Sequence, residues 1–325
     1  MTALTALFIG GNGIISSACS ALAIERGFDL TLLNRGTDST RPPIEGARSI
    51  VGDADDLGSV KLGEYDVVVN FRSFLPSAVA SDIKLFEGRT GQYVYISSAS
   101  AYQKPVSRLP ITESTPLRNP WWQYSRDKIA SEDLLVAAYR SDGFPATIVR
   151  PSHTYDHTLI PLEGGWTQLD RMRRGVPIVI HGDGTSLWTL THNTDFAKAF
   201  VGLLGNSRAV GDTFQITSDE VLTWDAIATL LGDALGVKPD IVHVASETMA
   251  RAIPEWGPGL LGDKSHSVVF DNSKVKALVP EYVAITPFWR GAREIVEWHL
   301  ESPDRREVDA QLNAKLDALV AAARP

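Results

Sequence analysis

The most constraining feature of this 325-residue chain is a glycine-rich segment that directly follows a short apolar run. Apolar residues 6–9 lead into Gly10 and Gly13, and a helical pattern then continues to about Arg26. Glycines between a strand and a helix let the backbone approach a pyrophosphate, which the positive helix N-terminus stabilises. The two glycines hold the first positions of a G-x-x-G-x-x-G pattern, and Ser16 stands in the third. The segment therefore predicts a dinucleotide-binding unit.

Strand and helix patterns alternate after this segment. Further strands are predicted at residues 30–33, 48–51, 66–69, 93–96 and 146–149, and helix-like stretches such as 77–86 separate the later ones. This alternation indicates βαβ units and a parallel sheet. We predict an α/β fold in which residues 1–152 form a Rossmann-like, doubly wound parallel sheet. Residues 153–325 are expected to form mainly a smaller C-terminal α/β substrate domain, with excursions back to the first domain and a C-terminal helix.

The second half contains shorter elements. Helices are predicted at residues 168–174, 194–204 and 223–235, with strands at 178–180 and 213–216. Glycine and proline cluster from Pro254 to Gly262, which predicts a loop over a site. An apolar stripe indicates a final helix from about 304 to 322 that docks on the body or on a second subunit. The residues of this stripe are Val308, Leu312, Leu316 and Leu319.

Composition and charge narrow the class of protein. The chain is 44% hydrophobic and 22% charged, as expected of a soluble globular protein. Its formal net charge of −8 argues against a general nucleic-acid binder. The single cysteine, Cys19, rules out an internal disulfide. No apolar run is long enough to cross a membrane and the N-terminus lacks a signal-peptide pattern, so we expect a cytoplasmic protein.

Tyr124 and Lys128 form the chemically most informative pair. Residues four apart on a helix project from the same face, and a nearby ammonium favours the phenolate and lowers the pKa of the tyrosine. Ser98 ends the region of the fifth strand, from which its hydroxyl could hold a substrate oxygen while Tyr124 moves a proton. Such a pair can also be merely a solvated helix face. With the glycine segment, it predicts carbonyl/alcohol redox chemistry at a nicotinamide.

The end of the second strand bears on the choice of cofactor. NAD binding favours an acidic residue there, whereas this chain has Asn34 and Arg35. A guanidinium suits a ribose 2′-phosphate, so the expected cofactor is NAD(P), leaning towards NADP. Arg35 can equally be an exposed loop arginine. Asp53 could accept a hydrogen bond from the adenine amino group or cap an acidic helix.

Taken together, these residues resemble the extended short-chain dehydrogenase/reductase family, which includes the NAD-dependent nucleotide-sugar epimerases and dehydratases. The resemblance covers nearly the whole chain. It extends to Glu132, Arg150-Pro151, Gly182-Asp183-Gly184-Thr185, Asp195, Phe270-Asp271-Asn272-Ser273-Lys274 and Trp298. It implies that Ser98 is the catalytic serine, Tyr124 the acid/base and Lys128 the residue that binds the nicotinamide ribose and tunes the tyrosine. It also implies a homodimer formed through the Tyr-bearing helix.

The residues expected to bind the cofactor come from the ends of successive strands and from the active-site helix. They are Gly10, Gly13, Ile14, Ile15, Asn34, Arg35, Asp53, Phe71, Lys128 and Pro151.

Departures from the family pattern concern the substrate. Dehydratases of the family carry an Asp-Glu pair where this chain has Ala99 and Ser100, which argues against a 4,6-dehydratase. Nucleotide-sugar enzymes tend to place diphosphate-binding arginines where this chain has Trp188 and Ala277. Each lost arginine removes charge-assisted contacts worth about 1.5–3 kcal/mol. The substrate is therefore expected not to be gripped through a diphosphate, although Arg72 could replace the missing contacts.

Aromatic and imidazole side chains are expected to line the substrate pocket instead, because aromatic faces with hydrogen-bonding edges suit a hydroxylated ring. The expected substrate residues are Phe74, Ser100, His153, Tyr155, Trp166, Trp188 and His192, and Trp121 and Trp122 precede the active-site helix. The two histidines lack the usual spacing of metal ligands, so no metal is predicted.

The sequence thus predicts an NAD(P)-dependent hydride-transfer enzyme, an epimerase or an alcohol/ketone oxidoreductase, acting on a sugar or sugar-like small molecule. One alternative is an ordinary nucleotide-sugar 4-epimerase. Another is a non-catalytic RNA-binding or regulatory relative, but such relatives tend to lose the tyrosine or lysine and gain basic surface. This chain keeps Ser98, Tyr124 and Lys128 and is acidic.

Overall fold

A computed structural model describes residues 3–36 and 41–324. Its strands are β1 Thr5–Ile9, β2 Asp29–Asn34, β3 Arg48–Val51, β4 Tyr65–Asn70, β5 Thr90–Ile96, β6 Ala146–Pro151, β7 His153–Tyr155, β8 Ile178–His181, β9 Leu187–Trp188, β10 Leu190–His192, β11 Thr213–Ile216, β12 Leu222–Thr223 and β13 Ile241–Val244. All six strands predicted for the first half are present, each within three residues of its predicted bounds.

The main sheet has the strand order β11-β6-β5-β4-β1-β2-β3, and all of its pairs are parallel. From β1 the chain winds first towards β3 and then, from β4, in the opposite direction. Ligands of such sheets bind outside the carboxyl ends of the strands where the order reverses, here between β1 and β4. The predicted α/β class and the Rossmann-like, doubly wound sheet are therefore confirmed.

Helices cover both faces of this sheet. The α-helices are α1 Ile14–Glu25, α2 Pro76–Phe86, α3 Gln123–Asp142, α4 Trp166–Arg173, α5 Asn193–Leu203, α6 Trp224–Leu235, α7 Ser246–Ala252, α8 Gly257–Gly259, α9 Ser273–Leu278, α10 Phe288–Glu301 and α11 Ala310–Ala323. One buried cluster joins α1, α5 and α9 to the sheet, and a second joins α2 and α3 to the other face. Because parallel strands are buried on both faces, β1 reads as a continuous apolar run with residues 6–9 fully buried.

Two further buried clusters lie in the second half, one around α4, α6 and α10 and one around α7 and α11. Small two-stranded pairs accompany them: β8 with β13, β9 with β12 and β7 with β10. Residues 193–216 return to the first half, where α5 packs on α1 and β11 extends the main sheet beside β6. The predicted domain boundary at residue 152 stays a prediction.

Two predicted elements differ from the structure. The expected loop at 254–262 is a run of helical turns: a 3-10 turn at Pro254–Trp256, then α8, then a π-helical turn at Leu260–Lys264. The C-terminal helix begins at Ala310 rather than near 304, because the Asp309 side chain accepts hydrogen bonds from the free N–H groups of Gln311 and Leu312. Val308 therefore lies outside the helix. In the described ranges, no helix combines the length and apolarity needed to cross a membrane.

Candidate active site

An open cavity of about 470 Å³ lies at the carboxyl ends of β1, β4, β5 and β6. Of the expected site residues it is lined by Gly10, Gly13, Ile14, Ile15, Phe71, Phe74, Ser98, Ser100, Tyr124, Lys128, Pro151, His153 and Trp188. We refer to it as the inner cavity. The glycine segment, the Ser/Tyr/Lys residues and part of the expected aromatic set thus meet at one place.

A second cavity of about 730 Å³ continues from the glycine segment past the ends of β2 and β3. Asn34, Arg35 and Asp53 line it, and it shares Gly10, Gly13 and Arg72 with the inner cavity. The two cavities form one groove that runs across the N-terminus of α1. This is the shape that an extended dinucleotide with its pyrophosphate at the helix N-terminus requires.

The glycine segment is built for close approach. Gly10 has φ +81°, and a Cβ added there would lie 2.5 Å from Cγ of Arg72. Ser16, at the third glycine position, accepts a hydrogen bond from the Gly13 N–H at 2.7 Å and donates one to the Gly10 carbonyl at 2.6 Å. The serine therefore holds the turn closed from inside. These features of the segment fit a nicotinamide dinucleotide.

Lys128 projects from α3 into a buried position and is 2% exposed. Its ammonium donates hydrogen bonds to the carbonyls of Ile96 at 2.7 Å and Ser73 at 3.1 Å. It also lies 4.8 Å from the ring centre of Tyr95 and 5.7 Å from that of Tyr124. Burial lowers the pKa of Lys128 to about 7, and the Glu132 carboxylate opposes this shift.

Tyr124 is half-buried in the wall of the inner cavity. We expected Lys128 to lower the pKa of this phenol, but the structure gives the opposite direction. Burial raises the pKa of Tyr124, the Ser98 side chain opposes the shift and the Asp263 carboxylate adds to it. Desolvation of the phenol is the largest of these causes, while the Lys128 amine is directed at two backbone carbonyls. Tyr124 is therefore held as a neutral phenol, the form that can donate a proton.

Ser98 is connected to a short chain of hydroxyl groups. Ser125, fully buried on α3, donates to the Ser100 hydroxyl at 2.8 Å. The Ser100 and Ser98 hydroxyls lie 2.9 Å apart, and the Ser100 N–H donates to Ser98 Oγ at 3.1 Å. When the Ser100 hydroxyl donates its hydrogen bond to Ser98 Oγ, the Ser98 O–H is left to donate into the cavity. This chain of hydroxyl groups thus favours Ser98 as a hydrogen-bond donor to a substrate oxygen.

A buried ion pair between Arg150 and Glu132 connects the segments that carry Ser98 and Tyr124. The Arg150 guanidinium donates to both carboxylate oxygens of Glu132, at 2.9 Å and 2.5 Å, and the Ser97 hydroxyl donates to the same carboxylate. Glu132 is 2% exposed and Arg150 is 5% exposed. The pair joins α3 to β6 and to the residue before Ser98. It thereby fixes the strand end on which Ser98 stands relative to the helix that carries Tyr124.

Three expected substrate residues lie away from the cavity, which corrects the prediction for them. Tyr155 and His192 face each other across the β7–β10 pair with ring centres 5.3 Å apart, and Tyr155 also packs against Phe288. Along the chain, Tyr155 follows the last lining residue of β7, Thr154, and His192 lies three residues beyond the lining residue Thr189. Trp166 stacks on His299 with ring centres 5.4 Å apart, in the second-half core.

Other residues of the site escaped the sequence analysis. The helical turns at 254–264 bring Asp263 and Lys264 to the inner cavity, and the fully buried Lys104 pairs with Asp263 at 3.0 Å. Beside the second cavity, Arg41 donates to Asp156 at 2.6 Å and to the Asn12 carbonyl at 3.4 Å. The glycine and proline cluster from Pro254 to Gly262 predicted that this segment lies over a site, but no sequence pattern identified the individual charged residues. Within residues 3–36 and 41–324 no group of three or more His, Cys, Asp or Glu side chains could hold a metal ion.

Residues 6–217 match the family model described as "NAD dependent epimerase/dehydratase family". The chain is 30% identical to 2'-dehydrokanamycin reductase of Streptomyces kanamyceticus over 70% of its own length and 64% of that protein. It is 27% identical to the chloroplast stem-loop binding protein of 41 kDa b of Arabidopsis thaliana over 73% of its own length and 65% of that protein. The matches thus span slightly less than two thirds of these curated relatives.

Solved structures share the fold. The epimerase Mth375 of Methanothermobacter thermautotrophicus superposes with a TM-score of 0.74 at 15% identity, covering 92% of this chain and 93% of its own. The UDP-glucuronic acid 4-epimerase of Bacillus cereus, solved with UDP-glucuronic acid and NAD, gives a TM-score of 0.72 at 17% identity over 92% of this chain and 99% of its own. Since the family model covers well over half of the residues, this chain belongs to the NAD-dependent epimerase/dehydratase family, of the extended short-chain dehydrogenase/reductase type.

Proposed function

We propose that the chain is an NADP-dependent enzyme that interconverts a ketone and a secondary alcohol on a hydroxylated ring. The observation that carries this proposal is that Ser98, Tyr124 and Lys128 line the same cavity as Gly10, Gly13 and Pro151. Proton-transferring groups and a cofactor groove are thus continuous. The similarity to a protein named as a reductase favours net reduction over epimerisation.

In the proposed mechanism the residues of the chain handle the substrate oxygen. Ser98 donates a hydrogen bond to the ketone oxygen, and Tyr124 gives it a proton as negative charge develops there. Burial keeps Tyr124 protonated at neutral pH and so ready for this step. Lys128, fixed by the Ile96 and Ser73 carbonyls, would hold the nicotinamide ribose. When bound, the dinucleotide supplies the hydride exchange at the substrate carbon.

Preference for NADP rests on the second cavity. Arg35 lines it beside Asn34, where an NAD enzyme of this fold would carry a carboxylate, and Arg41 and Arg72 line it as well. Arg41 is already paired with Asp156, so Arg35 and Arg72, both exposed, are better placed to meet a 2′-phosphate.

Calorimetric titration with NADP and with NAD tests this preference. We expect NADP to bind at least about tenfold more tightly, and R35A to reduce the difference to about twofold or less. The matched control is R140A, which removes an exposed arginine of α3 outside both cavities. Equal affinity for the two dinucleotides in the wild type would refute the preference, as would an R35A variant that keeps it.

A substrate without a diphosphate fits the inner cavity better than a nucleotide sugar. Trp188, which replaces one phosphate arginine, is 4% exposed and forms part of the wall. Ala277, which replaces the other, is exposed on α9 outside the cavity. Of the charged lining groups, Lys264 is paired with Glu163 at 2.8 Å, Asp263 contributes a carboxylate and Lys128 donates to two backbone carbonyls. Arg72, at the edge shared with the second cavity, is the exposed cation of this lining, and we assign it to the 2′-phosphate of the cofactor rather than to a substrate diphosphate.

A nucleic-acid-binding role is the second candidate, favoured by the similarity to a stem-loop binding protein. The same preparation tests it by retention on immobilised RNA stem-loops. We expect no retention at physiological salt, since the net charge is −8.

Assembly as a homodimer through α3 is a further proposal, based on the family resemblance.

A further inference from the structure

The inner cavity continues into a third cleft of about 540 Å³, which we call the outer cleft. The two share Trp122, Tyr124 and Lys264, so the phenol of Tyr124 lies at the boundary between them. Trp121 and Trp256 belong to the outer cleft alone. A molecule that reacts at Tyr124 can therefore extend past Trp122 into this cleft without leaving the protein surface.

Four aromatic side chains line the outer cleft, three of them tryptophans. Trp121 is 41% exposed, whereas Trp256 is 9% exposed and belongs to a buried core. The Trp122 ring centre lies 5.0 Å from that of Tyr124. An indole left this open at the mouth of an active site offers a flat apolar face, which suits the C–H face of a sugar or cyclitol ring.

The tryptophans are held in place by a buried asparagine. The side-chain oxygen of Asn119, which is 3% exposed, accepts hydrogen bonds from the backbone N–H groups of Trp121 at 3.3 Å and Trp122 at 3.1 Å. Its amide group donates to the Ser100 carbonyl at 3.0 Å and to the Gly262 carbonyl at 2.7 Å. One side chain thus ties the tryptophans to the catalytic segment and to the helical turns above it. The segment that carries Trp121 and Trp122 is therefore held in place by hydrogen bonds before any ligand binds.

The charges of the outer cleft are balanced. Its lining contains two cations, Arg126 and Lys264, and two carboxylates, Glu163 and Glu255. Glu163 is paired with Lys264 at 2.8 Å and Glu255 with Lys315 at 3.3 Å. A diphosphate would need an excess of cations and a polyamine an excess of carboxylates. A neutral polyhydroxylated ring needs both donors and acceptors, which this rim supplies.

We infer that the substrate is a glycoside of at least two rings, with the reacting ring beside Tyr124 and a neutral, hydroxylated second ring on Trp121 in the outer cleft. This inference rests on the proposed function and names the substrate class of the same site. The outer cleft is thus a subsite that selects for substrate length.

The test compares binding of methyl monoglycosides and the corresponding methyl disaccharides, in a panel of gluco-, galacto- and 2-amino-2-deoxy-gluco-configured pairs, to the full chain loaded with NADP. Dissociation constants come from ligand-observed saturation-transfer NMR. We expect at least one disaccharide to bind about tenfold more tightly than its monosaccharide. In W121A this advantage should fall below about threefold, while W121F should retain most of it.

The matched control is W289A, because Trp289 is a similarly exposed tryptophan on α10, outside the three cavities. W289A should keep the full disaccharide advantage. The inference is overturned if no disaccharide in the panel gains threefold over its monosaccharide, or if W121A keeps the gain. The NADP dissociation constant, measured on the same samples, separates the two proposals. A chain that does not bind NADP would refute the proposed function, whereas the ratio of disaccharide to monosaccharide affinity tests the outer cleft.

Discussion

Trp188 donates its indole N–H to Nδ1 of His153 across 3.2 Å in the wall of the inner cavity. Burial lowers the pKa of His153 to about 3, so the imidazole is neutral at physiological pH. Since Nδ1 accepts from Trp188, the single proton of the neutral ring lies on Nε2. His153 is therefore a hydrogen-bond donor at its other nitrogen, fixed by the residue that replaces a phosphate-binding arginine.

The first prediction is that His153 keeps this tautomer from pH 5 to pH 8. Nitrogen-15 NMR of histidine-labelled protein, with the signal assigned through H153Q, should show Nε2 protonated and no titration in this range. The other histidines provide internal references. An imidazole that titrates near pH 6.5, or one protonated at Nδ1, would contradict the account of this wall.

The second prediction concerns the serine chain. S125A removes the donor to Ser100 and with it the bias that turns the Ser98 hydroxyl towards substrate. Loss of one hydrogen bond of about 0.5–1.5 kcal/mol should lower kcat by about 2- to 12-fold with little change in KM. S141A, an exposed serine on the same helix, is the control and should be neutral. If kcat of S125A equals that of S141A, the chain of serine hydroxyl groups has no role in positioning Ser98.

The third prediction follows from the pKa of Lys128, about 7 in the folded chain against an ordinary value of 10.5. Between these values the unfolded chain binds a proton that the folded chain does not, so this group makes the free energy of unfolding increase with pH. K128M abolishes that contribution. From pH 7.5 to pH 9.5 the wild type should gain about 2–3 kcal/mol relative to K128M, at about 1.4 kcal/mol per pH unit. Urea denaturation of the cofactor-free proteins at both pH values measures the change.

A stability difference between wild type and K128M that stays constant over this pH range would show that Lys128 is charged in the folded chain at pH 9.5. The comparison across pH cancels the constant cost of losing the hydrogen bonds to Ile96 and Ser73.

The fourth prediction concerns the ion pair below the site. E132A leaves the buried Arg150 guanidinium without its carboxylate, which should lower the free energy of unfolding by about 3–5 kcal/mol. D133A removes an exposed carboxylate at the next position of α3 and should change it by less than about 0.5 kcal/mol. Urea denaturation at pH 7 compares the two. A similar small effect for both variants would mean that the ion pair does not stabilise the strand end that carries Ser98.

Local sequence patterns predicted the half of the fold that carries the cofactor groove. The strands β1, β2, β4, β5 and β6 contain buried apolar runs because both faces of the parallel sheet are covered there, whereas the edge strand β3 is mostly exposed. The place of β11 was not predictable in the same way. It was recognised as a strand, but its pairing with β6 joins segments more than 60 residues apart, and no local pattern encodes such a partner.

The limits at the site have similar physical causes. His153 and Tyr155 are two residues apart in the sequence and were expected to share one pocket. His153 lines the cavity, whereas Tyr155 is buried against His192 and Phe288 in the second-half core. Asp263 reaches the cavity because a π-helical turn redirects the chain there. The glycines and prolines of this segment predicted a loop, since their usual role is to break helices.

The central claim is that Tyr124 transfers the proton that accompanies ketone reduction. The most direct measurement is the loss of NADPH absorbance with a panel of ring ketones for the wild type and Y124F, together with the NADPH dissociation constant of each. We predict that Y124F lowers kcat by about 10²- to 10⁴-fold while cofactor affinity stays within about twofold. Turnover of Y124F near the wild-type rate would contradict the mechanism.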